Sequence, residues 1–364
     1  MISQQNKITP FQLAIILIQA QIGVDMITLV YHVHTRANYD SWISVIVAGI
    51  FIQMLILLYG LLIKRFPNHN FFELLEIVFG KWIGKFFIAF YGIFFIVLCS
   101  SLFAKYTIVL KSWMMPLTPK WILALLITLL GIYAAIENIQ VISRFFLIAT
   151  GVIILFLVFV IYSLKSANIY HILPVGQAGV VNIVKGAYAT AISFQGFEYF
   201  LYLIPLVKGS RKQIIKAATY SNVFITFFYT FVVLTCHLFF SPEEMKLIPE
   251  PIFYLIKSFT FNMIERPDII FTSLWIALVV TSVIILLYIS STGMKILFKA
   301  KKRTIFVLIV ALCSYIISIF LYGEQRLNYL GEILRPIIFV ASLGIPMFTL
   351  LMSYLLKRTG ETEQ

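Results

Sequence analysis

Carboxylates are rare in this sequence. Its 364 residues hold 15 Asp and Glu against 28 Lys and Arg, and charged residues of both signs make up 12%. A soluble domain carries about 25% charged residues, so this chain lacks the polar surface to sit in water. Only Asp25, Glu198 and Glu137 lie within or beside apolar runs. No two aspartates pair at membrane depth, no Ser, His and Asp set falls within the runs, and no glycine-rich loop is built to cradle phosphate. Those absences exclude the usual hydrolytic constellations and a nucleotide-driven pump, and the chain reads as a non-enzyme. Cysteine is limited to Cys99, Cys236 and Cys313, all inside apolar runs and without metal-ligand spacing. They read as packing residues, and no cofactor or metal is expected. His32-Val33-His34 offers two imidazoles with no third ligand nearby, a weak metal candidate. The net charge of +13 does not point to nucleic acid, because the basic residues sit in short loops between apolar runs.

What is present is hydrophobicity: 61% of the residues are hydrophobic and the mean hydropathy is +0.98. A bilayer core needs about 20 apolar residues per helix. On that ruler ten spans are expected, near 10–31, 41–63, 86–110, 119–136, 143–164, 182–206, 217–240, 268–297, 304–322 and 334–356. The chain therefore reads as an all-α polytopic membrane protein, one transmembrane domain over 1–364 in contact with membrane lipid. No cleavable signal is expected, since the first run is long and polar at its centre. Thr9-Pro10-Phe11-Gln12 reads as an N-cap, a Pro at N1 and a Gln at N3. Asn70 and Glu73 read as a second cap, opening a short amphipathic helix that ends at Gly80. Lys and Arg are denser in the loops at 64–65, 208–216 and 295–303 than in the alternate set, which puts both termini in the cytoplasm and requires an even number of spans. Lys105 and Lys185 lie within spans toward their outer ends and are expected to snorkel. The outer segment 249–262 is aromatic-rich and reads as an interfacial lid or a plain loop.

Two spans carry costly interruptions. The first holds Gln19-Ala20-Gln21-Ile22-Gly23-Val24-Asp25, the sixth Ser193-Phe194-Gln195-Gly196-Phe197-Glu198. A charged group at a helix centre costs about 2.5–3.5 kcal/mol on insertion scales. Ten spans divide into five plus five, with a first repeat over about 8–165 and a second over about 178–357, and the interrupted spans then correspond. That is the pattern of an inverted repeat whose broken helices 1 and 6 meet at a midplane ligand site. Backbone N–H groups freed beside Gly23 or Gly196 suit a ligand carboxylate, and freed carbonyls suit an ammonium or a cation. Asp25, Gln195 and Glu198 read as ligand contacts or proton relays, or else as hydrogen bonds that lock the bundle. Thr281-Ser282 in the eighth span read either as facing the site or as bonded to their own helix carbonyls. Phe94 and Leu98 in the third span are placed to wall a pocket.

Several motifs resemble one family. They are Arg65-Phe66-Pro67, Gly80-Lys81-Trp82-Ile83-Gly84, Leu173-Pro174-Val175-Gly176 and Ser193 to Glu198, in that order along the chain. The set resembles the B subunit of bacterial spore germination receptors, within the amino acid–polyamine–organocation transporter superfamily. The resemblance implies a five-plus-five inverted-repeat fold, residence in the spore inner membrane, and assembly with an A subunit and a C-subunit lipoprotein. It implies a sensor that binds a small nutrient such as an amino acid. A proton-coupled amino acid secondary transporter stands as the alternative, since carrier and sensor share the scaffold. The resemblance places ligand contacts at Gly23, Leu98, Gln195 and Thr281, with Asp25, Phe94 and Ser282 as neighbours; Gly196 and Glu198 complete the expected set. Many relatives carry a second small residue where Asp25 stands, and an apolar one where Gln195 stands. This pocket is therefore expected to be more polar. With no Lys or Arg expected at the depth of Asp25, a ligand ammonium would compensate it, or a protonated Asp25 would donate to a polar neutral ligand.

Overall fold

The computed structural model describes residues 7–258 and 266–359. Helices α1 (Pro10–Ala37), α2 (Ser41–Arg65), α3 (Phe71–Trp113), α4 (Lys120–Ala135) and α5 (Ile139–Ser163) form the first half. The sixth passage is split into α6 (Gly179–Thr190) and α7 (Phe200–Leu203). Then come α8 (Arg211–Phe239), two short helices α9 (Pro242–Leu247) and α10 (Pro251–Lys257), α11 (Pro267–Leu297) and α12 (Thr304–Phe320). The last passage is α13 (Glu324–Phe339), a π-helical turn at Val340–Gly344, and α14 (Ile345–Leu355). Six stretches among the described residues are long and apolar enough to cross a membrane, and the shorter apolar helices include α4 and α12. Large hydrophobics such as Ile148, Leu155 and Leu312 stay exposed on the outer faces, as a lipid-facing surface requires.

Caps and glycines set the boundaries. Thr9 and Gln12 close a capping box at the start of α1, and Asn70 and Glu73 close another at α3. Gly80, at φ +80°, turns the amphipathic first two turns of α3 into its membrane span; that conformation is open to glycine and strained for other residues. Asp40, fully buried, accepts from the Gly176 N–H at 2.7 Å and the Ala178 N–H at 2.8 Å, which anchors the approach to α6. At the other end of the sixth passage, Ile8 pairs with the backbone of Leu206 and Lys208 at 2.8 and 2.7 Å. The starts of α1 and α8 are thereby tied together. Arg303 donates to the Ala135 and Glu137 carbonyls at 2.7 and 2.8 Å and lies over the Tyr288 ring. It satisfies carbonyls that the C-terminus of α4 leaves open.

Helix α1 packs against α6, α8 and α11, while α11 also packs against α3. This central group holds the polar residues of the first and sixth passages in the interior, where Gln19, Gln21, Ser193 and Gln195 are buried. The tenth passage begins at Glu324, earlier than the expected 334, because the polar segment 324–333 continues the helix across the bundle instead of forming a loop. Its π-turn has a local cause. Pro346 has no N–H for the Ser342 carbonyl, and the Ile345 N–H goes to Val340, which leaves the Ala341 carbonyl open as well. The Tyr91 hydroxyl donates to Ala341 at 2.6 Å, and the Tyr59 hydroxyl donates to Ser342.

Two expectations need correction. The first passage is not broken: α1 is one helix through Gly23. Hydroxyls satisfy carbonyls along it, Ser282 on Gln19 and Ala20 at 3.0 and 3.1 Å and Tyr229 on Gln21 at 2.9 Å. The 249–262 segment is not a free lid. Its α10 inserts Ile252, Phe253, Leu255 and Ile256 into the core against α11. Residues 259–262 of that segment lie outside the described residues.

Candidate functional site

The sixth passage opens into turns between Thr190 and Phe197. Gly196 adopts φ +114°, in the left-handed region, and a Cβ there would lie 3.1 Å from the Ala20 Cβ of α1. The glycine thus serves both the turn and the close approach of the two passages. Tyr229 holds the junction, its hydroxyl within hydrogen-bond distance of the Gln21 and Ser193 carbonyls, at 2.9 and 3.0 Å. Glu198 caps the turn by accepting from the Gly196 N–H at 3.0 Å, and its other oxygen is buried without a partner.

Beside this break lies a cavity of about 640 Å³. Its inner wall is Asp25 and Thr28 from α1, Leu98, Ser101 and Lys105 from α3, and Gln195 and Tyr199 from the broken passage. Its far end is lined by His32, Arg36, Glu250, Glu324, Glu332 and Arg335. Helix α13 covers that end with Leu327, Gly331 and Ile338, and Arg335 is held by Glu332 at 2.8 Å. Glu250, outside the spans, accepts from the Trp113 indole at 2.5 Å; its burial raises the carboxyl above the ordinary Glu value, against the pull of that hydrogen bond.

Lys105 changes the chemistry expected for Asp25. It was expected to snorkel to the surface and not to reach this depth. Its ammonium instead forms an ion pair with Asp25 and donates to Thr28 at 2.8 Å. The Asp25 carboxylate also accepts from Thr28 at 2.5 Å and from Ser193 at 2.8 Å. The carboxylate is therefore compensated within the chain, and a ligand need not supply its counter-charge. In contrast, the Gln195 amide nitrogen and the Tyr199 hydroxyl are buried and unpartnered, on residues that line the cavity. An amide N–H or a hydroxyl without an acceptor is costly in a dry interior, and rotation of either side chain into the cavity toward a ligand oxygen would relieve it.

Of the expected site residues, Asp25, Leu98 and Gln195 line this cavity. The others serve nearby structure. Gly23 is a packing glycine: a Cβ would meet the Leu278 carbonyl oxygen at 2.3 Å. Thr281 bonds the Gln19 amide oxygen at 3.0 Å and its own helix at Leu278, 2.7 Å; Ser282 bonds α1 carbonyls. Together they lock α1 to α11. Phe94 is buried in an aromatic group with Phe90, Tyr91 and Phe95. Gly196 and Glu198 shape the turn behind the cavity wall. The residues that sequence reasoning missed are Lys105, Thr28, Tyr199 and the α13 set. The available signal was electrostatic: Lys105 is a lone cation in an apolar run, and so is Asp25 a lone anion.

The all-helical bundle with a split sixth passage and an interior polar cavity has the fold of APC-like membrane transporters. A nucleobase-cation-symport-1 family transporter, MHP1, in a closed conformation with bromovinylhydantoin bound, superposes with TM-score 0.70 at 12% identity, over 97% of this chain and 80% of that one. A Na+-coupled sialic acid symporter superposes with TM-score 0.64 at 12% identity, over 93% and 79%. The chain belongs to the spore germination protein family, whose pattern matches residues 7–326. It is 27% identical to spore germination protein GerQB of Bacillus cereus over 330 residues, 90% of each chain. It is 25% identical to spore germination protein YndE of Bacillus subtilis (strain 168) over 363 residues, 98% of this chain and 99% of that one. It is a membrane subunit of the germinant-receptor type, and its family and structural neighbours are permease-like rather than enzymes.

Proposed function

We propose that the cavity between α1, α3 and the break of the sixth passage binds the nutrient germinant, and that the chain reports its occupancy to partner subunits. The observation that carries this reading is the cavity itself, large enough for a small nutrient and lined by Asp25, Lys105, Gln195 and Tyr199 at the break of the sixth passage. The far end of the cavity lies among 249–250, before α10, and 324–335 of α13, on the side poorer in Lys and Arg. With both termini cytoplasmic, that side is the outer face of the spore inner membrane, from which a nutrient arrives. The partners are an A subunit and a C-subunit lipoprotein. The two halves, about 8–165 and 178–357, act as an inverted repeat with the site between them.

The test is a spore in which this chain is deleted and then restored. Restoration should return the response to a nutrient only when the A and C subunits are present. The purified chain in proteoliposomes should show no saturable uptake of that nutrient. Autonomous uptake would replace the sensor reading with that of a proton-coupled carrier, for which the unpartnered Glu198 oxygen is the feature to examine first.

A further inference from the structure

The Asp25 end of the cavity is built as a cation site. A buried carboxylate, 8% exposed, is presented by α1, fixed by hydroxyls of Thr28 and Ser193, and turned toward the cavity. The cation that fills it belongs to the chain: Lys105 of α3 places its ammonium on Asp25 and on the Thr28 oxygen. An ammonium has three donors, and the third has no protein acceptor among the described residues. Gln195 and Tyr199 line the same cavity, with their Nε2 and Oη buried behind its surface. What this end of the cavity offers a ligand is thus donors, with no open carboxylate.

We propose that Lys105 is a specificity-determining residue. It is a tethered cation that permanently fills an ammonium subsite on Asp25, so this end of the cavity accepts a ligand group without positive charge that presents an oxygen acceptor to Lys105. The inference deepens the reading of the cavity as the nutrient site and rests on it. An external cation is disfavoured for two reasons. It must displace an ammonium whose effective concentration is set by its attachment to α3. It must also leave that ammonium uncompensated in a partly buried place, since the Lys105 side chain is only 25% exposed. A neutral ligand meets neither penalty and gives the third Lys105 donor an acceptor.

The experiment uses the full chain in lipid nanodiscs and reads its melting temperature. The probe is n-propylammonium, which reproduces the atoms that Lys105→Ala removes. Wild type should show no saturable shift with the probe. Lys105→Ala should melt lower and be raised saturably by n-propylammonium, and Lys105→Ala with Asp25→Asn should lose that rise. In the mirror variant, Asp25→Ala frees the Lys105 ammonium, and formate, which reproduces the atoms removed, should stabilise it while leaving wild type unmoved. A saturable rise of wild type with n-propylammonium, or a folded Lys105→Ala that ignores it, overturns the proposal. If neither variant accumulates, the wild-type arm still decides. These probes are not nutrients, so the two readings fail separately. Rescue of Lys105→Ala without any nutrient binding removes the sensor reading and leaves the subsite. Nutrient binding without rescue does the reverse.

Discussion

The turn at Val340–Gly344 makes a sharp energetic prediction. Pro346 cannot donate to Ser342, and Tyr59, fully buried, supplies the missing donor through its hydroxyl. Tyr59→Phe removes that hydroxyl and leaves the rest of the ring in place, stacked at 5.9 Å on Phe197 of the broken passage. The Ser342 carbonyl is then buried without a partner, a loss of about 1–3 kcal/mol. Pro346→Ala supplies a backbone N–H that reaches the same carbonyl by closing an ordinary helical bond. The two substitutions should therefore be non-additive. Tyr59→Phe lowers the melting temperature in the wild-type background and has a much smaller effect in the Pro346→Ala background. The assay is a double-mutant cycle read by thermal unfolding in detergent, with the interaction energy taken from the four proteins. Equal destabilisation by Tyr59→Phe in both backgrounds would refute the account of the turn. The position matters for function because α13, which covers the cavity, and α14 meet at this turn.

Three further outcomes are expected. Gly23→Ala drives a methyl into the Leu278 carbonyl and the Ser282 hydroxyl, both 2.3 Å from the added Cβ, and should destabilise by about 1–3 kcal/mol in thermal unfolding; Gly151→Ala, with nothing within 4 Å, is the neutral control. Gly196→Ala forces an L residue to φ +114° at a cost of about 1–2 kcal/mol, and Gly196→Leu should in addition abolish the nutrient response of spores in which immunoblotting still finds the protein in the membrane. Glu250 is an acid whose carboxyl is raised by burial, so the folded state binds its proton more tightly than the unfolded state does; stability from this group is full below the ordinary value of 4.5 and is lost as pH rises through the raised folded value. Glu250→Gln should therefore gain in melting temperature relative to wild type as pH rises above 4.5, and a pH-independent difference would contradict this sign.

The helical bundle was legible because hydrophobic runs of bilayer length have one structural solution. The caps at Thr9 and Asn70 and the turn at Gly80 were read from local chemistry that acts over a few residues, and the structure reproduces them. The break at Gly196 was legible for the same reason, since a carboxylate, an amide and a glycine cannot continue a helix in lipid without cause. Gly23 looked alike in sequence but does different work. Whether a glycine opens a helix or lets a neighbour approach is decided by Leu278 and Ser282, which lie far along the chain. Lys105 was misplaced by a similar gap. Snorkelling is the default for a lysine near a span end, and only the packing of α1 beside α3 brings Asp25 within reach. The role of α13 was hidden because its polar segment has the composition of a loop, while in the structure it is helical and lines the cavity.

A sensor of this build holds its nutrient in the cavity beside the sixth-passage break. Leu98 lines this cavity from α3 and is 6% exposed, so Leu98→Trp adds bulk to it while keeping Asp25 and Lys105 in the chain. The direct measurement is equilibrium binding of the radiolabelled nutrient that triggers wild-type spores, on purified wild type and Leu98→Trp of matched melting temperature. Saturable binding by wild type and its loss in Leu98→Trp is the predicted result. Equal affinity in the two proteins would place the nutrient elsewhere and contradict the account.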